Sequence, residues 1–343
     1  MSFKPLQSLI SRRRWLAAAV LSVALAACAP MPGAIPPSDP LPSWNEGTNK
    51  QRIVDFVRAV SSEGGNDYVP PEQRIAVFDN DGTLWLEYPV YTQVLFVFDR
   101  IRAMAPQRPE WKDKEPYRSV IAGDIKGAMA SGEKGLFEML LVAQSGMSTD
   151  VFIAEVSRWI AQAQDPRFKR SYDTLTYQPM LEVLQYLRAN GFKTYIVSGG
   201  TVEFMRAFAE RTYGIPPQQV LGTRQKLAFE VKGNGSSIQM LPQIDFVNDK
   251  AGKPQNIEAL LGRRPIAAFG NSDGDFQMLQ RTTTGPGARL GMIVHHDDAV
   301  REYAYDRNSS IGRLAEGLDM YQTMGWGLIS MKNDWKVIFP PLK

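Results

Sequence analysis

The chain has 343 residues, 44% hydrophobic and 22% charged, enough for a large globular domain with a real core. Four of its 39 basic residues (Lys4, Arg12, Arg13 and Arg14) fall in positions 1–27, which hold no acid; the remainder has 35 basic against 36 acidic side chains, near −1, and offers no basic face for nucleic acid. A single cysteine, Cys28, excludes an internal disulfide framework.

Ser11-Arg12-Arg13-Arg14 precedes an apolar run from Trp15 to Ala27. That run is shorter than the roughly 20 residues of a membrane-spanning helix and has the length of a signal-peptide core. Leu25-Ala26-Ala27-Cys28 resembles the bacterial lipobox, which implies a signal peptide over 1–27 and membrane attachment only through a lipidated Cys28. The alternative is a soluble secreted protein cut at an Ala-x-Ala-like site. Residues 11–16 are similar to a twin-arginine export signal and serve equally as the basic start of an ordinary one. Ala29 stands where inner-membrane retention would place an aspartate, so the resemblance implies an outer-membrane anchor facing the periplasm. Pro30, Pro32, Pro36, Pro37, Pro40 and Pro42 predict an extended tether over 28–43. Fifteen residues at about 3.1 Å each reach roughly 45 Å, and the fold is expected to begin near Ser43.

Ile53, Phe56, Val57 and Val60 share one helical face. Ile75-Ala76-Val77-Phe78 reads as a strand buried on both faces, running straight into Asp79-Asn80-Asp81-Gly82. The design recurs at Lys193–Val197 before Ser198-Gly199-Gly200 and at Pro265–Phe269 before Gly270-Asn271-Ser272-Asp273, and Leu290–Val294 gives a further strand. Met180, Leu184 and Leu187 predict a helix stopped by Asn190-Gly191. Alternation of strands and helices predicts an α/β fold, a doubly wound parallel sheet with its site at the carboxyl ends of the strands. The stretch 85–172 breaks the alternation: Val94, Val97, Phe98 and Ile101, Gly135 to Ala143, and Phe152, Val156, Trp159 and Ile160 predict three helices forming an inserted cap. The core is then expected over 44–84 and 173–343.

Each polar cluster follows a predicted strand. Asp79 and Asp81 supply a nucleophile and an acid–base for phosphoryl transfer, and two acids so close suit Mg²⁺. Ser198, with the amides of Gly199 and Gly200 expected to enter a helix, suits phosphate oxygens. Lys253 can neutralise phosphoryl group and nucleophile together, and Asn271, Asp273 and Asp275 offer further oxygens. Asp273 reads equally well as a cap for a helix from Gly274 to Leu279. His295-His296 reads as structural, since adjacent side chains point apart. Trp85, Tyr88 and Tyr91 read either as pocket lining or as a packing seam, and Trp326 and Trp335 as core.

These blocks, in this order, resemble the haloacid dehalogenase superfamily on its phosphoserine-phosphatase-like branch, over roughly residues 75 to 300. Asp79–Thr83 matches the first motif, Asp-x-Asp-Gly-Thr, without departure; Ser198 matches the second, Lys253 (with Lys250 as rival) the third, and Gly270–Asp275 the fourth. The resemblance implies a Rossmann-like core with a cap, and Mg²⁺ between Asp79, the backbone carbonyl of Asp81 and the loop bearing Asn271 and Asp275. Two departures stand out. The family's Gly-Asp is here Gly270-Asn271, which keeps an oxygen but loses a charge. Glu87 lies one residue out of register with the glutamate that reads the substrate ammonium in phosphoserine phosphatase, so phosphoserine is not the expected substrate. Dehalogenases of the superfamily lack the second aspartate, so Asp81 argues against dehalogenation. The expected activity is hydrolysis of small phosphorylated metabolites through an aspartyl-phosphate. The alternatives are phosphotransfer to an alcohol and a non-catalytic envelope lipoprotein that binds a ligand or partner.

Overall fold

The computed structural model describes residues 39–342; the signal segment, Cys28 and most of the tether lie outside the described residues. Chain packing is in place ahead of the expected start near Ser43. Leu41 and Trp44 are buried, Trp44 sits edge-on to Trp335 at 6.0 Å, and the Asp39 carboxylate takes the Lys50 ammonium at 2.6 Å. The apolar side chains between the prolines are what tie this stretch down.

In chain order the elements are α1 (Thr48–Ser61), β1 (Ile75–Phe78), α2 (Thr92–Met104), α3 (Tyr117–Ala122), α4 (Ile125–Met129), α5 (Gly132–Gln144), α6 (Thr149–Gln162), α7 (Gln178–Ala189), β2 (Lys193–Thr201), α8 (Val202–Arg206) and α9 (Ala209–Tyr213). There follow β3 (Val220–Lys232), β4 (Gly235–Phe246), α10 (Gly252–Leu261), β5 (Ala267–Gly270), α11 (Phe276–Thr283), β6 (Leu290–Asp297), β7 (Ala304–Tyr305), α12 (Glu316–Met320), β8 (Gly327–Ser330) and α13 (Met331–Asp334). The sheet order is β4-β3-β2-β1-β5-β6-β7, with β8 also on β6. The pairs β1–β2, β1–β5, β5–β6, β2–β3 and β6–β8 are parallel, while β4 and β7 run antiparallel to their neighbours.

β1 explains why its four residues are all apolar. Ala76 and Phe78 join the core that holds α1 and α7, and Ile75 and Val77 join the opposite core with Ile257 of α10 and Met278 and Leu279 of α11. A strand covered on both faces has no position left for a polar side chain. Phe78 stacks on Phe269 of β5 at 4.6 Å, locking the two central strands in register where their polar loops begin.

Between β1 and β2 the chain is helical from α2 to α6, and the first core continues into it through Phe96, Met139, Phe152 and Val156. A long hairpin outside the strands expected above, β3–β4, reaches from the sheet to the same helices. Met240 exchanges backbone hydrogen bonds with the Gly146-Met147 turn (3.2 and 3.0 Å), and Gln225 donates to Ser145 Oγ at 2.7 Å. Its sequence signal is Gly233-Asn234-Gly235 after a run with Leu227, Phe229 and Val231 at every second position. Trp326 and Trp335 are buried, as core residues should be.

Candidate active site

β1 ends at Phe78, and the backbone N–H of Asp79 still donates to Phe269 O at 2.9 Å, so Asp79 leaves the sheet with strand geometry. The chain then turns tightly: the amides of Thr83 and Leu84 donate to Asn80 O at 3.2 and 2.8 Å. Gly82 makes this turn possible, with φ +73° and a missing Cβ that would lie 2.1 Å from Asn271 Nδ2 and 2.4 Å from Glu87 Oε1. Gly82→Ala is therefore expected to displace the whole loop, lowering stability by about 2–4 kcal/mol and activity far more; thermal unfolding beside a turnover assay checks it. From behind, His296 Nε2 donates to Gly82 O at 2.8 Å, while its Nδ1 faces Glu302 Oε2 at 3.2 Å. Because a carbonyl can only accept, the Nε2 proton is fixed. His296 is thus a buried buttress of the loop, whereas His295 faces Asp306 at 3.5 Å.

Asp81 projects from the same turn. Its Oδ1 accepts from Trp85 Nε1 at 2.9 Å and its Oδ2 from Asn80 Nδ2 at 3.5 Å, and Trp85 is itself clamped against Phe208 at 4.5 Å. Burial raises the Asp81 pKa, and the two hydrogen bonds oppose that rise. Of the three aromatics left open by the sequence, Trp85 packs and orients Asp81, Tyr91 lines the cavity, and Tyr88 stacks on Tyr305 at 4.7 Å.

Lys253, in the first turn of α10, crosses to this loop. Its Nζ lies 2.7 Å from Asp79 Oδ1 and 2.5 Å from Asp275 Oδ1, with the ammonium buried among them. Lys250, three residues earlier, is exposed and has a left-handed backbone (φ 49°), so the lysine that reaches Asp79 is Lys253. Burial works against the Lys253 charge, but Asp275 and Asp79 outweigh it and raise its pKa. Asp79 is pushed up to about 8 by burial and by repulsion from Asp275, against the pull of Lys253.

Ser198 is buried near the end of β2; its Oγ accepts from Gly200 N–H at 3.1 Å and its carbonyl accepts from Asn248 Nδ2 at 2.8 Å. The expected helix start at Gly199-Gly200 needs correction: the strand runs on through Thr201, and α8 opens at Val202. Pairing explains it, because after a register shift past Val197 the strand pairs with β3 again at Thr201 opposite Thr223, and the Thr223 hydroxyl donates to Gly199 O at 2.7 Å. Ser198, Gly199 and Gly200 still line the cavity.

The loop after β5 is occupied differently from its reading as a metal-ligand set. Asp275 spends Oδ1 on Lys253 and accepts at Oδ2 from the amides of Asn271 and Ser272, at 3.0 and 3.1 Å. Asn271 accepts from Thr83 Oγ1 at 2.9 Å and donates from Nδ2 to Glu87 Oε1 at 2.7 Å. Asp273 neither caps the following helix nor faces Asp79. It accepts from the amides of Ala315 and Gly317 at 3.0 Å and so ties down the C-terminal segment. The acids of this loop satisfy nearby backbone amides first, because such donors cost more when left unpaired inside the protein.

Three further side chains complete the centre. Glu87 is buried, takes Tyr305 Oη at 2.8 Å besides Asn271, and has its pKa raised well above the carboxylate range by burial. Asp249 lies at the rim and Gln93 holds Thr201 through both its amide ends. Only Glu87 gave a sequence signal, through its place just after the Asp79–Thr83 block. Together with the four clusters these residues enclose a cavity of about 300 Å³.

Among the described residues no three Asp, Glu, His or Cys side chains form a metal cluster. The donor chemistry nevertheless suits a divalent cation. Asp79, Asp81, Asp249 and Asp275 gather around one ammonium, and Asp79 Oδ2 receives no hydrogen bond from the described residues. Such a surplus of carboxylate is what a hard cation neutralises.

The family model described as haloacid dehalogenase-like hydrolase matches residues 76–280, from β1 into α11. No curated protein matches the chain in sequence. Solved structures to which the chain is similar include a conserved functionally unknown protein from Anaerococcus prevotii DSM 20548 (19% identity, 73% of this chain and 86% of that one, TM-score 0.49). A protein with unknown function from Bordetella pertussis Tohama I is similar at 14% identity, over 75% of this chain and 98% of that one, with TM-score 0.47. A probable phosphoserine phosphatase from Vibrio cholerae is similar at 16% identity, over 70% and 62%, with TM-score 0.36.

Proposed function

The chain belongs to the haloacid dehalogenase-like hydrolase family, and from that premise we propose that it is a phosphomonoesterase working through Asp79. The observation that carries this reading is the division of labour at Asp79: Lys253 holds Oδ1 at 2.7 Å, and Oδ2 is left toward the cavity that Asp81 and Ser198 also line. In its ionised form Asp79 attacks phosphorus through Oδ2, and the ester P–O bond breaks. The departing alkoxide takes a proton from Asp81, which burial keeps protonated more readily than an exposed acid. Water then attacks the aspartyl-phosphate, giving its proton back to Asp81, and the Asp79–phosphorus linkage opens to free phosphate. Lys253, the Ser198 hydroxyl and nearby amides hold the phosphoryl oxygens. When bound, Mg²⁺ supplies positive charge that offsets the clustered carboxylates and the phosphoryl group. The residues that would hold it are Asp79, the main-chain carbonyl of Asp81 and the side-chain carbonyl of Asn271, with Asp275 acting through Lys253.

The test is phosphate release from a chromogenic phosphomonoester with Mg²⁺ and with EDTA. Release that needs the metal is the expected result; equal release in EDTA would contradict it. Because Asp79 keeps its proton up to about 8, a cation binding there must displace that proton. Mg²⁺ affinity is therefore expected to rise about tenfold per pH unit from 6 to 8, measured by calorimetry.

We propose further that Cys28 is lipidated and tethers the domain at the outer membrane facing the periplasm, on the strength of Leu25-Ala26-Ala27-Cys28. No helix among the described residues is long and apolar enough to cross a membrane. Labelled fatty acid should enter the wild-type protein and not Cys28→Ser; equal labelling of both would refute the anchor.

A further inference from the structure

The cavity has two unlike ends. At the reacting end stand the side chains already described. The other end is walled by Val94 and Val97 of α2, Leu136, Phe137 and Leu140 of α5, and Val247 just after β4. Lys253 is the one basic side chain among the described lining residues, and its ammonium is already committed to Asp79 and Asp275. The remaining charged groups beyond the catalytic pair, Glu87, Glu133 and Asp249, are all acidic. A substrate carrying a carboxylate or a second phosphate beyond its scissile phosphoryl group would meet apolar side chains and like charge, with no cation to receive it.

We propose that the natural substrate is the phosphate monoester of an uncharged, apolar alkyl or aryl alcohol. The inference rests on the phosphomonoesterase reading for its reaction, and on the composition of the far wall for its specificity. Each methylene moved from water onto such a wall gains about fourfold in binding, whereas a carboxylate placed there loses its hydration without return.

Two arms test it on the full-length protein with Mg²⁺ present. In the turnover arm, kcat/KM is compared for ethyl, hexyl, 6-aminohexyl and 5-carboxypentyl phosphate. In the binding arm, calorimetry compares hexylphosphonate with 5-carboxypentylphosphonate, which cannot be hydrolysed. Hexyl phosphate is expected to exceed both ethyl and 5-carboxypentyl phosphate by at least ~10-fold, with the same order between the phosphonates. Val247→Lys, at a position that is 41% exposed and so tolerant of the change, should narrow the hexyl-to-carboxypentyl ratio by ~5-fold or more. Equal or better use of the carboxylated or aminated ester, or no binding of hexylphosphonate, overturns the proposal. Absence of phosphate release from every ester, with hexylphosphonate still bound selectively, would instead remove the phosphomonoesterase reading and leave the apolar specificity supported.

Discussion

Asp79→Asn is expected to stop turnover and, at pH 8, to unfold at a higher temperature than the wild-type protein. Loss of the nucleophile should lower kcat by at least ~10³-fold, since neither Asp81 nor Lys253 can form the covalent intermediate. The gain in stability follows from the sign of the Asp79 shift. Folded Asp79 keeps its proton up to about 8, against 3.8 for an ordinary aspartate. Whatever stability this group adds is present below about pH 4 and is lost as pH rises through 8, where the folded state must bury its charge beside Asp275. Asparagine keeps an acceptor for Lys253 and carries no charge. The variant should gain roughly 1–3 kcal/mol at pH 8 and almost nothing at pH 4, a trade of stability for chemistry common at active sites. Thermal unfolding at the two pH values, with a phosphate-release assay, decides the matter. Full activity in the variant would remove Asp79 as nucleophile, and an equal loss of stability at both pH values would mean that its charge is not under strain.

Lys253→Met carries the second large effect, with the opposite sign on stability. The ammonium is 3% exposed and sits between Asp79 and Asp275, whose side chains are 10% and 0% exposed. Removing it leaves the buried Asp275 carboxylate beside Asp79 without its counter-charge, which should cost about 3–5 kcal/mol. Turnover should fall by ~10³-fold, as both the phosphoryl oxygens and the nucleophile lose their fixed cation. Lys250→Met is the control: its side chain is exposed and lies away from Asp79, so a change within about 0.5 kcal/mol is expected. A comparable loss of turnover in Lys250→Met would refute the assignment of Lys253.

The two variants bear on one design feature. Four aspartates gather around a single lysine, so the centre is electrostatically overfull on the acidic side until a cation or substrate arrives. His296, Glu87 and Trp85 are what keep such a loop in place, through Gly82 O, Asn271 and Asp81 respectively.

The local order of the chain was written in its residue periodicity. Runs such as Ile75–Phe78 could only be strands covered on both faces, and the stripes at Ile53–Val60 and Phe152–Ile160 could only be helices with one buried side. Both patterns record which way each side chain must point relative to its immediate neighbours. The acids after β1 and the serine near the end of β2 were legible for the same reason, as polar residues abruptly following a two-sided apolar run. Three things were not legible. Lys253 and Lys250 differ by less than one helical turn, and only the placement of α10 against the sheet turned Lys253 inward. Asn271 and Asp275 looked alike as oxygen donors, yet Asp275 gives one oxygen to Lys253, 22 residues away, and the other to nearby amides, while Asn271 is oriented through its Nδ2 by Glu87, 184 residues away. His296 supports Gly82 across 214 residues of chain. Sequence spacing fixes direction within an element, but which distant groups meet, and which oxygens they use up, depends on packed elements closing around buried polar atoms that must all find partners at once.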